Sequence, residues 1–381
     1  MKKILSVIVV VVVTLTQTAQ ITAFAQETDK PAVNAQACVL YCVDDGKVYF
    51  SVNENKKMKP ASTTKLMTSL ITLEYADSAD KVVAFTKDMT AEGSSMYLKV
   101  GEKVKLSDLA AGMMMASGND AANAAAISIA GSAEKFSELM NNRAAVIGMK
   151  NTHFVTPSGL DDENHYSTAY DMALLMSYAL ENESFAKLTS KKSVTVEFSE
   201  PQSKRTTYTN HNRLLSMYEY CTGGKTGYTM AAGRCLVSSA KKDGLTFVCV
   251  TLNDRNDWND HIALYNYGFS KLACVECDDS DYYLEIPCAG GDDESISVTG
   301  TKGKNVVVPF DKKSNVVRTA YADNFLYAPV KDGDIVGRIE YTLDGKTLAS
   351  TNLTAVEYSN TQNKNKSIWT KIKDFFTYGK E

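Results

Sequence analysis

The sequence predicts a mixed α/β domain with an antiparallel sheet flanked by helices, followed by a small all-β domain. The first observation is an alternating run over residues 37–52 that turns at Asp44-Asp45-Gly46, as in a β-hairpin. The second is a series of helical periodicities in the middle of the chain, after which strand-like runs return. The third is the loss of helical periodicity after Cys277. Strands, helices and strands again favour an antiparallel sheet covered by helices.

Each predicted element has a local signal. After the hairpin, Pro60-Ala61-Ser62 leads into a helix over 63–75, in which Leu66, Leu70 and Leu73 share one face. The later elements follow from their apolar spacing: helices at 106–115, 120–129, 132–147 and 168–180, strands at 193–198, 234–239 and 245–252, and a last helix at 260–272.

Domain boundaries follow the changes in this pattern. Residues 282–357 are short alternating runs broken by Gly-Gly, Asp-Gly and Lys-Gly pairs, which indicates a small all-β domain. We therefore assign residues 30–277 to the α/β domain and residues 278–358 to the β-rich domain.

The first 25 residues have the three regions of a secretory signal peptide. Lys2 and Lys3 are followed by an apolar run from Ile4 to Leu15, and Ala23-Phe24-Ala25 resembles a cleavage site. The alternative is a membrane-spanning helix, but such a helix needs roughly 20 apolar residues. We therefore expect residues 1–25 to be removed and the protein to be exported.

The sequence of residues 359–381 predicts a polar linker followed by an amphipathic helix. Ile368, Trp369, Ile372, Phe375 and Phe376 follow helical spacing, with lysines between them. This segment is too short to span a bilayer, but it can lie on an anionic membrane surface. The alternative is a helix that docks back on the β-rich domain.

The composition excludes some partners. The formal net charge is -4, and no long basic run or Gly-rich phosphate loop occurs, so we expect no nucleic-acid binding. Among the eight cysteines, Cys274 and Cys277 have C-x-x-C spacing, but no second ligand pair accompanies them. We therefore predict neither a metal site nor a cofactor, and the sequence leaves the disulfide state open.

The chemistry-bearing residues begin with a serine and a lysine. No G-x-S-x-G or H-E-x-x-H occurs, and the chain has 4 histidines, so a Ser-His-Asp enzyme lacks its usual signal. Ser62-Thr63-Thr64-Lys65 offers another arrangement, because residues three apart on a helix share a face and a lysine of lowered pKa can act as the base. The S-x-x-K spacing alone is weak evidence, since it is common on solvated helix surfaces.

Two further motifs occur in order after the first. Ser117-Gly118-Asn119 lies between two predicted helices, where the alternative is a C-cap glycine followed by an N-cap asparagine. Lys225-Thr226-Gly227 precedes a predicted strand, where the alternative is an ordinary turn. S-x-x-K, S-D-N and K-T-G together are the signature of class A β-lactamases and penicillin-binding proteins.

The chain resembles the D-alanyl-D-alanine carboxypeptidases, which are low-molecular-mass penicillin-binding proteins of that superfamily. The likeness covers roughly residues 37–357 and includes Gly159-Leu160-Asp161 and Ser167-Thr168-Ala169 beside the three motifs. Ser117 and Asn119 keep the S-x-N form that is usual in this family, with Gly118 in place of the aspartate of S-D-N. The resemblance implies a penicillin-binding/β-lactamase-like catalytic domain.

The resemblance also implies roles for the motif residues. Ser62 would be acylated, Lys65 would take its proton, and Ser117 would relay a proton to the leaving D-alanine. Asn119 would orient the substrate amide, while Lys225 and Thr226 would hold the terminal carboxylate. Two further roles are implied for the strand: Gly227 would allow close approach to the ligand, and the N–H groups of Ser62 and Tyr228 would form the oxyanion hole.

The implied activity is removal of the terminal D-alanine from peptidoglycan stem peptides, with β-lactams as covalent inhibitors. It would take place at the outer face of the cytoplasmic membrane or in the cell-wall space. In some relatives an arginine shortly before K-T-G helps to bind the carboxylate, and here His211 or Arg213 would serve, or neither. We interpret His153 and His165 as structural polar residues.

Two other functions compete with this hypothesis. A secreted β-lactamase would use the same acylation but needs a glutamate to activate the deacylating water. Glu163 lies in the right interval, without the surrounding pattern expected for that glutamate. The second competing function is that of a catalytically silent protein that binds the cell wall or senses penicillin. The presence of all three motifs argues against it.

Overall fold

The computed structural model describes residues 30–291 and 293–356. The predicted signal peptide, 1–25, and the predicted linker and amphipathic helix, 359–381, lie outside these residues. Among the helices of this part of the chain, none is long and apolar enough to cross a membrane.

A five-stranded antiparallel sheet forms the centre of the first domain, in the order β2-β1-β9-β8-β7. Its strands are β1 (Ala37–Cys42), β2 (Lys47–Val52), β7 (Cys221–Thr229), β8 (Gly233–Lys242) and β9 (Leu245–Leu252). Strands β1 and β9 are buried along nearly their whole length, because helices cover both faces of the sheet. Strand β7, which carries the K-T-G motif, lies at the edge, so one side of its backbone is not paired within the sheet.

Helices cover both faces. Those on the first face share one core with Val39 and Val250: α1 (Lys65–Ser78), α2 (Leu106–Met115), α3 (Asn119–Ala130), α4 (Ala133–Ile147), α5 (Ala169–Ala179) and α6 (Glu183–Thr189). A short helix, α7 (Leu214–Met217), precedes β7, and α8 (Asp257–Lys271) packs on the other face. There the rings of Phe247 and Phe269 meet edge to face with centroids 5.1 Å apart.

Two short ribbons lie outside the main sheet. They are β3 (Val82–Ala84) with β4 (Lys103–Lys105), and β5 (Ser193–Glu197) with β6 (Arg205–Thr209). The predicted strand over 193–198 therefore exists, but it pairs with its own neighbour in the chain instead of joining the central sheet.

The second domain is all β, as predicted. Its six-stranded sheet has the order β14-β16-β17-β12-β11-β15 and a core of its own around Ile296, Val298 and Ile339. The strands are β11 (Tyr283–Ala289), β12 (Ser295–Gly300), β14 (Val317–Ala322), β15 (Leu326–Tyr327), β16 (Ile335–Leu343) and β17 (Lys346–Ala355). A further pair, β10 (Leu272–Val275) with β13 (Val306–Pro309), joins a strand before the predicted boundary to one after it.

The predicted fold class is confirmed, with a mixed α/β domain around an antiparallel sheet and an all-β domain after it. All eight cysteines are free thiols. Burial raises the pKa of Cys38, Cys42 and Cys235 to about 12, so these thiols are unreactive near neutral pH.

Candidate active site

Ser62 lies on a 3-10 turn, Ala61–Thr64, that runs directly into α1. The turn places Lys65 at the first residue of the helix, with its Nζ 2.9 Å from Ser62 Oγ. The predicted contact between these side chains is therefore present. Ala61 has a left-handed backbone with φ of 49°, which marks a tight entry into the turn.

The Lys65 amine is enclosed by the protein. Its side chain is fully buried, and its Nζ lies 2.7 Å from both Asn119 Oδ1 and the Ser158 carbonyl oxygen. Burial, together with the positive charge of Lys225, holds the pKa of Lys65 well below its usual range. A neutral amine has two N–H donors and one lone pair. The two donors match Asn119 and Ser158, which leaves the lone pair for the Ser62 hydroxyl proton.

The Ser117-Gly118-Asn119 segment joins α2 to α3 beside this amine. Ser117 has a left-handed backbone with φ of 57°, and its side chain is buried. The Asn119 side chain is held from both ends, because its Nδ2 donates to the Glu92 carbonyl at 2.6 Å while its Oδ1 faces Lys65.

Asp120 contributes to the site, although the sequence motifs predicted no role for it. Its buried carboxylate accepts hydrogen bonds from Ser95 Oγ at 2.7 Å and from the N–H groups of Met96 at 2.8 Å and Leu98 at 3.0 Å. It thereby holds the loop over residues 92–98, which includes the Glu92 carbonyl that supports Asn119. An acidic residue in the first turn of a helix was the available sequence signal.

The K-T-G lysine lies deep in the same site. Lys225 is almost fully buried, and its Nζ lies 3.1 Å from Ser117 Oγ and donates to the Thr226 carbonyl at 2.7 Å. Burial lowers the pKa of Lys225 to about 7. The two buried lysines thus contact one serine each, Lys65 with Ser62 and Lys225 with Ser117.

Gly227 lets β7 approach the turn that carries Ser62. A Cβ at this position would lie 2.9 Å from the Ser62 nitrogen and 3.0 Å from the Thr63 nitrogen. Our sequence-based reason for this glycine was close approach to a ligand. The neighbour that requires it in the structure is the backbone of the turn over Ala61–Thr64.

A cleft of about 510 Å³ opens over these groups. Its lining includes Ser62, Ser117, Thr226, Gly227 and Tyr228, of which Tyr228 lies at the exposed rim. Lys65 and Asn119 lie beneath this surface, bonded to one another. Other residues of the lining were not singled out by sequence reasoning, and they are Ser94, Arg234, Cys235, Asp257 and Trp258.

His165 supports the turn over Ala61–Thr64 through its contact with Thr64. Burial lowers its pKa to about 4, so the ring is neutral near neutral pH. Its Nδ1 accepts from the Val155 N–H at 3.1 Å and the Thr156 N–H at 3.2 Å. The proton therefore resides on Nε2, which donates to Thr64 Oγ1 at 2.9 Å. His153 is exposed, with its Nδ1 2.7 Å from the Asn164 carbonyl.

The structure separates the two residues considered for the carboxylate. His211 lines the cleft, whereas Arg213 lines a different depression with Lys192 and Met217. Desolvation and the nearby Lys225 lower the pKa of His211. Glu163 is the residue that would activate the deacylating water if the protein were a β-lactamase. It is exposed and does not belong to the cleft lining.

Family comparison agrees with this geometry. The family model of the D-alanyl-D-alanine carboxypeptidases matches residues 24–256, more than half of the chain. This chain belongs to that family. A second model, of the penicillin-binding protein 5 C-terminal domain, matches residues 278–359, where the all-β domain lies.

Individual family members are similar over nearly the whole chain. D-alanyl-D-alanine carboxypeptidase DacF of Bacillus subtilis is 32% identical over 374 residues, which cover 94% of each protein. DacC of Escherichia coli is 34% identical and covers 88% of this chain and 87% of its own. Among solved structures, penicillin-binding protein 5 of Haemophilus influenzae has a TM-score of 0.64 at 29% identity, covering 87% of this chain and 98% of that one.

Gly159 gives a test of how the carboxypeptidase site is held together. It has φ of 81°, and an added Cβ would lie 2.0 Å from the Ala61 carbonyl oxygen, next to Ser62. Gly159→Ala is expected to cost about 1–3 kcal/mol more in the free energy of unfolding than Gly131→Ala. Gly131 is the matched control, because its φ is 85° and a Cβ there meets nothing within 4 Å.

Chemical denaturation of both variants measures the difference, and β-lactam acylation kinetics show whether the turn that carries Ser62 has moved. Equal losses of stability would contradict the proposed steric contact, because backbone strain alone is shared by the two positions.

Proposed function

We propose that this chain is a serine carboxypeptidase that removes the terminal D-alanine from peptidoglycan stem peptides. The observation that carries the proposal is the 2.9 Å contact between Lys65 Nζ and Ser62 Oγ, with the amine buried and its two donors already engaged. Membership of the D-alanyl-D-alanine carboxypeptidase family supports the bond type and the substrate class.

Acylation begins at Ser62. Lys65 Nζ takes the hydroxyl proton while Oγ attacks the carbonyl carbon between the two D-alanines. Charge then develops on the carbonyl oxygen, and the backbone N–H groups of Ser62 and Tyr228 are the proposed donors for it. Their proximity follows from Gly227, which allows β7 to lie against the nucleophile turn.

The leaving group needs a proton as the C–N bond breaks. Ser117 Oγ can donate it to the departing amine and recover one from Lys225 Nζ, 3.1 Å away. This role suits a lysine whose pKa is about 7, since such a group gives up its proton readily near neutral pH. Water then attacks the acyl-enzyme and gives up a proton that restores Lys225 through Ser117, while Lys65 returns its proton to Ser62 Oγ as the shortened peptide leaves as a free acid.

A direct assay tests the activity. The mature protein is incubated with a pentapeptide that ends in D-Ala-D-Ala, and free D-alanine is measured by mass spectrometry. We expect one D-alanine and one tetrapeptide per bond cleaved. Acylation by a β-lactam without any release of D-alanine would instead support the silent, penicillin-sensing alternative.

We also propose that the protein is exported and acts at the outer face of the cytoplasmic membrane, held there by residues 359–381. The apolar residues of this segment repeat at helical spacing, as Ile368, Ile372, Phe375 and Phe376 do. From Lys364 to Glu381, five lysines stand against Asp374 and Glu381, a net charge of +3 that favours anionic lipid.

Vesicle flotation tests the anchor. The mature protein is expected to float with anionic liposomes, whereas a version ending at Ser359 is not, because it lacks both the apolar face and the lysines. A full-length variant with Phe375 and Phe376 replaced by serine keeps the charge and is expected to bind more weakly. Equal flotation of the intact and shortened proteins would contradict the anchor.

A further inference from the structure

Arg234 is the one permanently charged cation among the described residues that line the cleft. It lies on β8, directly across from Tyr228 on β7, and Leu236 lies across from Thr226. Arg234 and Thr226 are therefore diagonal neighbours on one face of the sheet, about 7–8 Å apart and within reach of a long side chain. The guanidinium thus belongs to the part of the cleft next to the K-T-G motif.

The guanidinium is held in place before any ligand arrives. Its Nη2 donates to both carboxylate oxygens of Asp257, at 2.7 and 2.8 Å, and its Nε donates at 3.1 Å. Asp257 is itself buried at the start of α8. The guanidinium carbon lies 5.7 Å from the centre of the Trp258 ring, within the range of a cation–π contact. The carboxylate therefore holds one edge of the guanidinium, and the tryptophan ring packs beside it.

One edge of the guanidinium remains available. Among the described residues, Asp257 takes up Nε and Nη2, and no protein acceptor engages Nη1. The Arg234 side chain is 44% exposed, whereas that of Asp257 is 3% exposed. A planar group with free N–H donors and a permanent charge is well suited to bind a carboxylate.

The other cations of the site are engaged elsewhere. Lys225 Nζ is directed at Ser117 and the Thr226 carbonyl, which suits proton transfer more than ligand binding. Its pKa of about 7 leaves it only partly charged near neutral pH. His211 has a lowered pKa and is largely neutral there. A carboxylate entering the cleft would therefore find a permanently charged donor at Arg234, whose charge is shared with Asp257.

We propose that Arg234, held by Asp257 and Trp258, recognises the terminal carboxylate of the substrate together with the Thr226 hydroxyl. The inference rests on the proposed carboxypeptidase function and assigns a specificity-determining residue to it. It accounts for a buried acid and a tryptophan at the cleft wall that the acylation chemistry does not use. It also supplies a contact to the substrate carboxylate, a role for which the sequence offered His211 or Arg213, or neither.

Two peptides that differ only at the C-terminus test the proposal. One ends in D-Ala-D-Ala with a free carboxylate, and the other ends in the corresponding amide. Arg234→Gln is expected to lower kcat/KM for the acid peptide about 10- to 100-fold, the usual effect of losing a hydrogen bond to a charged group. The loss should fall mainly on KM, because the carboxylate is bound in the ground state as well as the transition state.

The amide peptide offers the guanidinium a neutral oxygen in place of a carboxylate, so Arg234→Gln should lose much less activity on it than on the acid peptide. Arg234→Lys, which keeps the charge without the planar fork, should show a smaller loss on the acid peptide. Arg213→Gln is the matched control, since Arg213 is exposed and lines a different depression. It should behave as the wild type with both peptides.

Two results would overturn the assignment: an unchanged preference for the acid peptide in Arg234→Gln, or equal losses on both peptides. If Arg234→Gln unfolds, the acid-to-amide ratio of Arg234→Lys decides in the same way. Binding of the two peptides to Ser62→Ala, with and without Arg234→Gln, measures carboxylate recognition without turnover. Absence of D-alanine release by the wild type would contradict the proposed function, while this binding comparison would still decide the role of Arg234.

Discussion

A Ser62→Ala variant is expected to form no covalent adduct with a β-lactam, whereas the wild type forms one adduct per chain. The reason is that the hydroxyl of Ser62 lies at the cleft surface with the lone pair of a buried amine beside it. Intact-mass spectrometry counts the adducts, and peptide mapping locates the modified residue.

Ser132→Ala is the matched control for this experiment. Ser132 also has a lysine three residues later, but its hydroxyl caps α4 by accepting from the Lys135 N–H. This variant should label at the wild-type rate, with a small loss of stability from the missing cap. An adduct mapped to a serine other than Ser62, or labelling of Ser62→Ala, would refute the assignment of the nucleophile.

Replacing Lys65 by alanine is expected to slow acylation by about 10²–10⁴-fold or more, the usual effect of removing a general base. Lys65→Met is the better matched variant, because it fills most of the same volume without supplying a base. Stopped-flow acylation by a chromogenic β-lactam measures the rate, and thermal unfolding shows that the variant is folded. Acylation of either variant at close to the wild-type rate would mean that another group takes the Ser62 proton.

The same lysine gives the pH dependence a definite sign. Burial and Lys225 depress the pKa of Lys65, so the amine becomes neutral at a lower pH than an exposed lysine would. Acylation by an uncharged acylating probe should therefore rise with pH through the depressed pKa of Lys65 and level off above it. A rate that keeps rising into the usual range of lysine would contradict a depressed pKa of Lys65.

Much of the candidate site was predictable because it depends on short spacings. Ser62 and Lys65 are three residues apart, and their contact follows from a single helical turn. The same spacing recurs elsewhere in the chain without a site, as at Ser238, where the hydroxyl lies buried 2.7 Å from His261 Nδ1. What distinguishes the proposed catalytic pair, Ser62 and Lys65, is its surroundings. The order of three motifs along the chain was only an indirect sign of them.

The sequence by itself determined the fold class, the two-domain order and the serines and lysines of the three motifs, because periodicity and short motifs are local properties. The tertiary structure alone decided which groups surround them. Asp120 holds the loop behind Asn119, and Asp257 and Trp258 orient Arg234 across the cleft. These partners come from separate elements, and their contacts depend on how helices and strands pack, which no spacing along the chain encodes. The depressed pKa of Lys65 has the same origin, since its main cause is burial by segments distant in sequence.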